Sequence, residues 1–130
     1  MAFIDKAIID TQVFLWMAVS PEKLSVKARS LCESAELTLS VASVWEIAIK
    51  YEIGKLYLTV PIRQFLELQI RLSNVTLLPI HYRHALRAAA LPGEHKDPFD
   101  RMIAAQSVEE EMPCITADPK LEALGAIRIW

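Results

Sequence analysis

Leu37-Thr38-Leu39-Ser40-Val41-Ala42-Ser43-Val44-Trp45-Glu46-Ile47-Ala48-Ile49-Lys50-Tyr51-Glu52 changes its hydrophobic rhythm partway along. Leu37-Thr38-Leu39 is a short β-like run. From Ala42 onward the apolar residues follow a helical spacing, with Val44, Ile47 and Ala48 on one side of a helix over 42–52. A strand that hands over to a helix is the repeating unit of an α/β fold, and the same unit recurs on both sides of this stretch.

Upstream lies Ala7-Ile8-Ile9; downstream lie Val75-Thr76-Leu77-Leu78, Cys114-Ile115-Thr116 and Ile127-Arg128-Ile129. Helical patterns fill the gaps. Residues 22–34 read as one helix with Leu24, Ala28 and Leu31 in line, and 62–72 carries Phe65, Leu66, Leu68 and Leu72. Residues 81–90 and 98–110 complete the set, and prolines and glycines punctuate the intervals. Apolar strands separated by helices predict a parallel sheet covered on both faces. The fold class is therefore α/β, a three-layer α/β/α sandwich. In such sheets ligands bind beyond the carboxyl ends of the strands, so reactive residues are expected just after them.

The 130 residues suit a single domain spanning 1–130, large enough for a real core. Hydrophobic residues make up 53% and mean hydropathy is +0.27, which means either a generously filled core or apolar surface reserved for a partner chain. A net charge of −2 and a pI near 5.9 argue against a protein that grips nucleic acid over a wide basic face. They leave room for an enzyme that touches a few phosphates and lets go. Cys32 and Cys114 make no disulfide framework and read as free thiols in a reducing compartment. The N-terminus MAFIDKAIID is no signal peptide, and no run approaches the ~18 apolar residues of a membrane helix. A cytoplasmic location without membrane attachment is expected.

The acids carry the chemistry. Of five aspartates, Asp10 directly follows the first strand and Asp118 comes just after Thr116, which closes the fourth. Asp97 and Asp100 open the helix leading into that fourth strand. Glu46 lies one turn into the helix after Leu37-Thr38-Leu39. Each has a purely structural reading beside the chemical one. Ser43 and Glu46 have capping-box spacing, Asp97-Pro98 and Asp118-Pro119 resemble N-caps followed by proline, and Asp10 precedes a helix it can cap. Capping alone does not explain why these acids converge on one sheet edge, since serine or asparagine would cap as well. Carboxylates a few Å apart repel, and a site that gathers them normally holds a cation. Oxygen ligands without histidine or cysteine suit Mg²⁺ or Mn²⁺ rather than Zn²⁺. Such a cation activates water and offsets charge at a phosphoryl group, which points to phosphate-ester chemistry.

Ile9-Asp10-Thr11 with Phe14-Leu15-Trp16, the Leu39–Lys50 stretch, His95-Lys96-Asp97-Pro98-Phe99-Asp100-Arg101-Met102-Ile103-Ala104-Ala105-Gln106, and Thr116-Ala117-Asp118-Pro119 together resemble the PIN-domain ribonucleases, and within them the toxin of VapBC-type type II toxin–antitoxin pairs. Order and spacing hold across nearly the whole chain. The resemblance implies a parallel five-stranded sheet and Mg²⁺- or Mn²⁺-dependent endonucleolytic hydrolysis of RNA. It implies a toxin homodimer and an antitoxin whose tail occupies the active-site groove. It assigns the acidic quartet to Asp10, Glu46, Asp100 and Asp118. Gln12 departs from the pattern, where histidine is frequent in this subgroup.

On that footing Asp10 and Asp118 are expected to hold the metal, Asp100 to touch it or stand one step away, and Glu46 to orient or deprotonate the attacking water. Thr11, Ser43 and Thr116 are candidates for fixing carboxylate orientation, with capping and strand composition as the equal alternative. Asp97 reads as a cap before a pocket residue. Arg101 reads as a salt bridge to a neighbouring acid before an RNA contact, and Lys50 and Lys96 as solvated lysines before phosphate ligands. His81 and His95 read as surface or structural, and Trp45 and Phe99 as core. The apolar residues of 62–72 exceed one stripe, so a second face of that helix is expected either to cover a partner or to lie deeper in the domain. Two other classes compete: a non-catalytic interaction domain on the same fold, which a complete quartet disfavours, and a receiver-like phosphoacceptor. The latter needs an aspartate after a central strand, where Val75–Leu78 is followed by Pro79.

Overall fold

The structure, a computed structural model, describes residues 4–130; the first three residues of the N-terminal stretch lie outside it. Five strands form one sheet: β1 (Lys6–Ile9), β2 (Glu36–Ser40), β3 (Thr76–Leu78), β4 (Cys114–Ile115) and β5 (Arg128–Ile129). The order across the sheet is β3-β2-β1-β4-β5, and every pairing is parallel. This is the expected class. From β1 the chain builds outward through β2 and β3 on one side and then through β4 and β5 on the other, so the order reverses beside β1. Such a reversal opens a crevice between the carboxyl ends of the two central strands.

The helices are α1 (Thr11–Val19), α2 (Val26–Ser34), α3 (Val41–Glu52), α4 (Ile62–Ser73), α5 (Tyr82–Ala90), α6 (Pro98–Glu109) and α7 (Pro119–Ala123). Alternation along the central strands sorts them into layers. Ala7 and Ile9 of β1 and Ile115 of β4 point to one side, where Val13, Phe14, Ala28, Ile47 and Leu66 of α1 to α4 bury against them. Ile8 and Cys114 point to the other, against Ile103 and Ala104 of α6, Leu121 of α7 and Leu124 at its C-cap. Ala7, Ile8 and Ile9 of β1 are fully buried, on both faces of the strand, which is why this run shows no polar alternation.

Two elements differ from the sequence reading. Residues 22–34 are not one helix: Pro21–Lys23 form a single 3₁₀ turn, Leu24 is extended, and the Ser25 hydroxyl caps a new helix by accepting from Ala28 N at 3.0 Å. Leu24, extended between the 3₁₀ turn and the Ser25 cap, buries its side chain in the core. The five-residue α7, which the periodicity did not show, starts at Pro119 under the Asp118 cap. The α4 helix buries Leu66 and packs Ile62, Phe65 and Ile70 on the core, while Leu68 and Leu72 stay exposed. Among the described residues no helix is long and apolar enough to cross a membrane.

Candidate active site

Because the strands are parallel, β1 and β4 end at the same edge, and their successors emerge side by side. Asp10 N donates to Ile115 O at 3.2 Å, which brings Asp10 beside the turn that carries Thr116 and Asp118. A cavity of about 500 Å³ opens there, lined by Asp10, Glu46, Asp97, Asp100 and Asp118 together with Lys50. The acids predicted from their positions in the chain thus share one pocket, and Asp97 lines it as well as capping.

The contrast between cap and site dissolves in the geometry. Asp10 caps α1 through Val13 N at 2.7 Å, Asp97 caps α6 through Phe99 N at 2.9 Å, and Asp118 caps α7 through Lys120 N at 2.9 Å. Three helix N-termini therefore converge on the pocket, and their exposed N–H groups and partial positive charge hold the carboxylates against mutual repulsion. Thr116 Oγ1 donates to Asp10 Oδ2 at 2.5 Å and accepts from Asp118 N at 3.0 Å. One hydroxyl thus ties the two acid-bearing turns together. Asp100 stands on the first turn of α6, where its Oδ2 meets His95 Nε2 at 2.7 Å.

The capping box suggested by Ser43 and Glu46 does not form. Ser40, not Ser43, caps α3, accepting from Ala42 N at 3.0 Å. Ser43 lies inside the helix, where its hydroxyl accepts from Thr11 Oγ1 at 2.9 Å. This buried pair fastens α1 to α3, and its hydrogen bond joins the two hydroxyls to each other rather than to a carboxylate. Glu46 instead pairs with Lys50 one turn later, at 3.0 Å, on the side of α3 that faces the pocket.

Arg101 was read as a salt-bridging residue and forms none among the described residues. Its guanidinium donates to three backbone carbonyls, those of Ala88, Leu91 and His95. His95, read as surface or structural, is the residue that sequence reasoning missed. It stands five positions before Asp100, in the irregular segment that precedes Pro98, and no local periodicity links the two. Trp45, read as core, is 62% exposed and meets Phe99 edge-on with ring centroids 5.4 Å apart.

Burial first, then the charges of Asp100 and Asp118, push the Asp10 carboxyl up from 3.8 to about 6, although the Thr116 and Val13 hydrogen bonds pull it down. Asp100 is also raised, mainly by burial, with Asp97 and Asp118 adding repulsion and His95 opposing. A pocket whose own carboxylates disfavour one another's ionisation favours a cation over any further anion. Among the described residues no three Asp, Glu, His or Cys side chains stand close enough to enclose a metal by themselves. Mg²⁺ needs no such cage, since one or two carboxylates and retained water suffice. The donor set, oxygen throughout, fits a hard divalent ion.

The PIN domain family model matches residues 7–127. Ribonuclease VapC22 of Mycobacterium tuberculosis (strain ATCC 25618 / H37Rv) is 30% identical over 118 residues, which cover 89% of each chain. Among solved structures, the crystal structure of VapBC2 from Rickettsia felis bound to a DNA fragment from their promoter is similar with a TM-score of 0.68 at 15% identity, covering 95% of this chain and 97% of that one. VapBC-5 from Mycobacterium tuberculosis, of the VapBC family of toxin–antitoxin systems, has a TM-score of 0.62 at 20% identity and 95% coverage of each chain. These structures share the fold, and the sequence matches carry the kinship: this chain belongs to the PIN domain family.

Proposed function

We propose that this chain is a Mg²⁺- or Mn²⁺-dependent endoribonuclease, the toxin of a toxin–antitoxin pair, with Asp10, Glu46, Asp100 and Asp118 as its working acids. The observation that carries the proposal is the shared pocket: four aspartates and one glutamate line it at the switch point of the sheet, in a PIN-family chain related to a ribonuclease. Asp10 and Asp118 would hold the ion, with Asp100 touching it or reaching it through a retained water. When bound, the ion lowers the pKa of water and offsets charge at the phosphoryl group.

The chain's own groups do the rest. Val13 N and Thr116 Oγ1 engage both Asp10 oxygens, so that carboxylate is oriented before any ligand arrives, which reduces the reorganisation that binding requires. Glu46, on a rigid helix rather than a loop, accepts a proton from the attacking water at its carboxylate. Lys50, beside Glu46 in an otherwise acidic lining, contacts a phosphate of the incoming strand. The family resemblance supplies the remaining partners: an antitoxin that covers the groove, and a second copy of the toxin as homodimer.

Purified, antitoxin-free protein incubated with total RNA and Mg²⁺ or Mn²⁺ tests this. Discrete fragments should appear and vanish both with EDTA and in Asp10→Asn, with a loss of at least one to two orders of magnitude. Cleavage that persists in Asp10→Asn would refute the assignment of the site.

A further inference from the structure

The segment joining α5 to α6, residues 91–97, contains Pro92 and Gly93 and forms neither helix nor strand. Its carbonyls therefore lack the partners that regular structure provides. One side chain supplies two of them, at Leu91 and His95, and a third bond at the end of α5. Arg101 Nε donates to Ala88 O at 3.0 Å, one terminal nitrogen to Leu91 O at 2.7 Å, and the other to His95 O at 3.1 Å. A planar guanidinium offers five donors in a fixed fork, and here the fork spans the end of α5 and most of the segment. Lysine, with one compact ammonium, cannot reproduce that span.

The segment held in this way delivers two side chains. His95 Nε2 meets Asp100 Oδ2 at 2.7 Å, and Asp97, at the segment's end, caps α6 and lines the pocket. Asp100 and Arg101 are consecutive on a helix, so their side chains diverge by about 100°. The acid turns to the pocket while its neighbour turns over the loop that carries the acid's own hydrogen-bond partner. The clamp and the partner thus close one circuit: Arg101 to His95 backbone, His95 ring to Asp100.

Building on the proposed metal-dependent site, we propose that Arg101 and His95 are positioning residues that together hold the Asp100 carboxylate in the orientation that receives a divalent cation. Arg101 acts through the segment and His95 acts on the carboxylate. Outer partners of metal-binding carboxylates typically matter by 10- to 100-fold in affinity.

The test measures Mn²⁺ binding to the purified, antitoxin-free chain from the electron paramagnetic resonance signal of free Mn²⁺, independently of any cleavage. Asp100→Asn serves as reference and should weaken binding. His95→Ala and Arg101→Ala should each weaken it about tenfold. Their double variant should be no weaker than the worse single one, because both break the same circuit. His95→Gln, whose amide nitrogen reaches where Nε2 stands, should recover most of the loss, whereas a merely structural histidine would show no such selectivity. Arg101→Lys should behave like Arg101→Ala. If Arg101→Ala fails to fold, His95→Ala, a partly exposed position, carries the test alone. Weakened binding in Asp100→Asn with unchanged binding in His95→Ala overturns the positioning proposal alone. Unchanged binding in Asp100→Asn overturns the reading of the site on which it rests, and this proposal with it.

Discussion

Thr116 and Asp10 stand 106 residues apart in the chain and 2.5 Å apart in the fold. The contact exists because β1 and β4 are neighbours that end together, with Ile9 opposite Ile115. The same hydroxyl accepts from Asp118 N, so it holds two acid-bearing turns at once. Thr116→Val keeps the shape and removes both bonds. It should cost about 1–3 kcal/mol of stability, because a buried carboxylate oxygen and an amide lose their partner. It should also weaken Mn²⁺ binding roughly tenfold, with Thr116→Ser close to wild type in both. Urea unfolding and metal titration read the two effects, and a valine variant indistinguishable from wild type would show that the hydroxyl is idle.

Asp10 makes the metal-free protein sensitive to pH. Its carboxyl titrates near 3.8 when unfolded and at about 6 when folded, chiefly because it is buried. The folded state keeps the proton that the unfolded state gives up, so the associated stability is complete below about 3.8 and is lost as pH rises through about 6. The cost of ionising it in the fold is on the order of 3 kcal/mol. Asparagine has no charge to bury and retains an acceptor for Val13 N. In EDTA, Asp10→Asn should therefore be more stable than wild type above about pH 7, with the gap closing towards pH 4. Mn²⁺ should stabilise wild type and not the variant, and less so below about pH 6, where protons compete for the same oxygen atoms. A stability difference that stays flat across this range would contradict the assignment of the shift to Asp10.

His84 is fully buried. Its Nδ1 accepts from His81 N at 3.0 Å, which leaves the proton on Nε2, and Nε2 meets Glu110 Oε1 at 2.8 Å. Glu110→Ala would strand that N–H and should destabilise the protein by about 1–3 kcal/mol. Glu110→Gln still offers an oxygen and should cost less than about 1 kcal/mol. Glu110 follows the last turn of α6, at the opposite end from Asp100, so metal binding should be unchanged in both. Equal losses in the alanine and glutamine variants, measured by chemical denaturation, would count against the hydrogen bond as the cause.

Trp45 makes an edge-on contact with Phe99 while most of its surface meets solvent. Such a pair is worth about 0.5–1.5 kcal/mol beyond its area, against the roughly 3–5 kcal/mol that deleting a core aromatic costs. Trp45→Ala should thus lower stability by about 1 kcal/mol, a shift of a few degrees in Tm by calorimetry. A loss above 3 kcal/mol would place this side chain in the core after all.

The order of strands and helices was legible in the sequence because backbone geometry fixes where successive side chains point, so burial on one face prints a period into the chain. The runs at Ala7–Ile9, Leu37–Leu39 and Val75–Leu78, and the apolar spacing of 42–52 and 62–72, reappear as strands and helices with bounds shifted by a residue or two. The positions of Asp10 and Asp118 after strands were legible for the same reason. Capping was legible as a motif but not in its register: the spacing pointed to Ser43 with Glu46, whereas Ser40, the last residue of β2, caps α3. The strand order β3-β2-β1-β4-β5, and with it the meeting of Asp10 and Thr116, was settled by packing between distant segments, which leaves no local period. The roles of Arg101 and His95 were hidden for a further reason. Long polar side chains reach several Å from their own backbone, and their partners are set by whichever loop the fold lays beside them. Local sequence therefore determined which elements form and which faces they bury; tertiary structure decided which neighbours those faces and side chains meet.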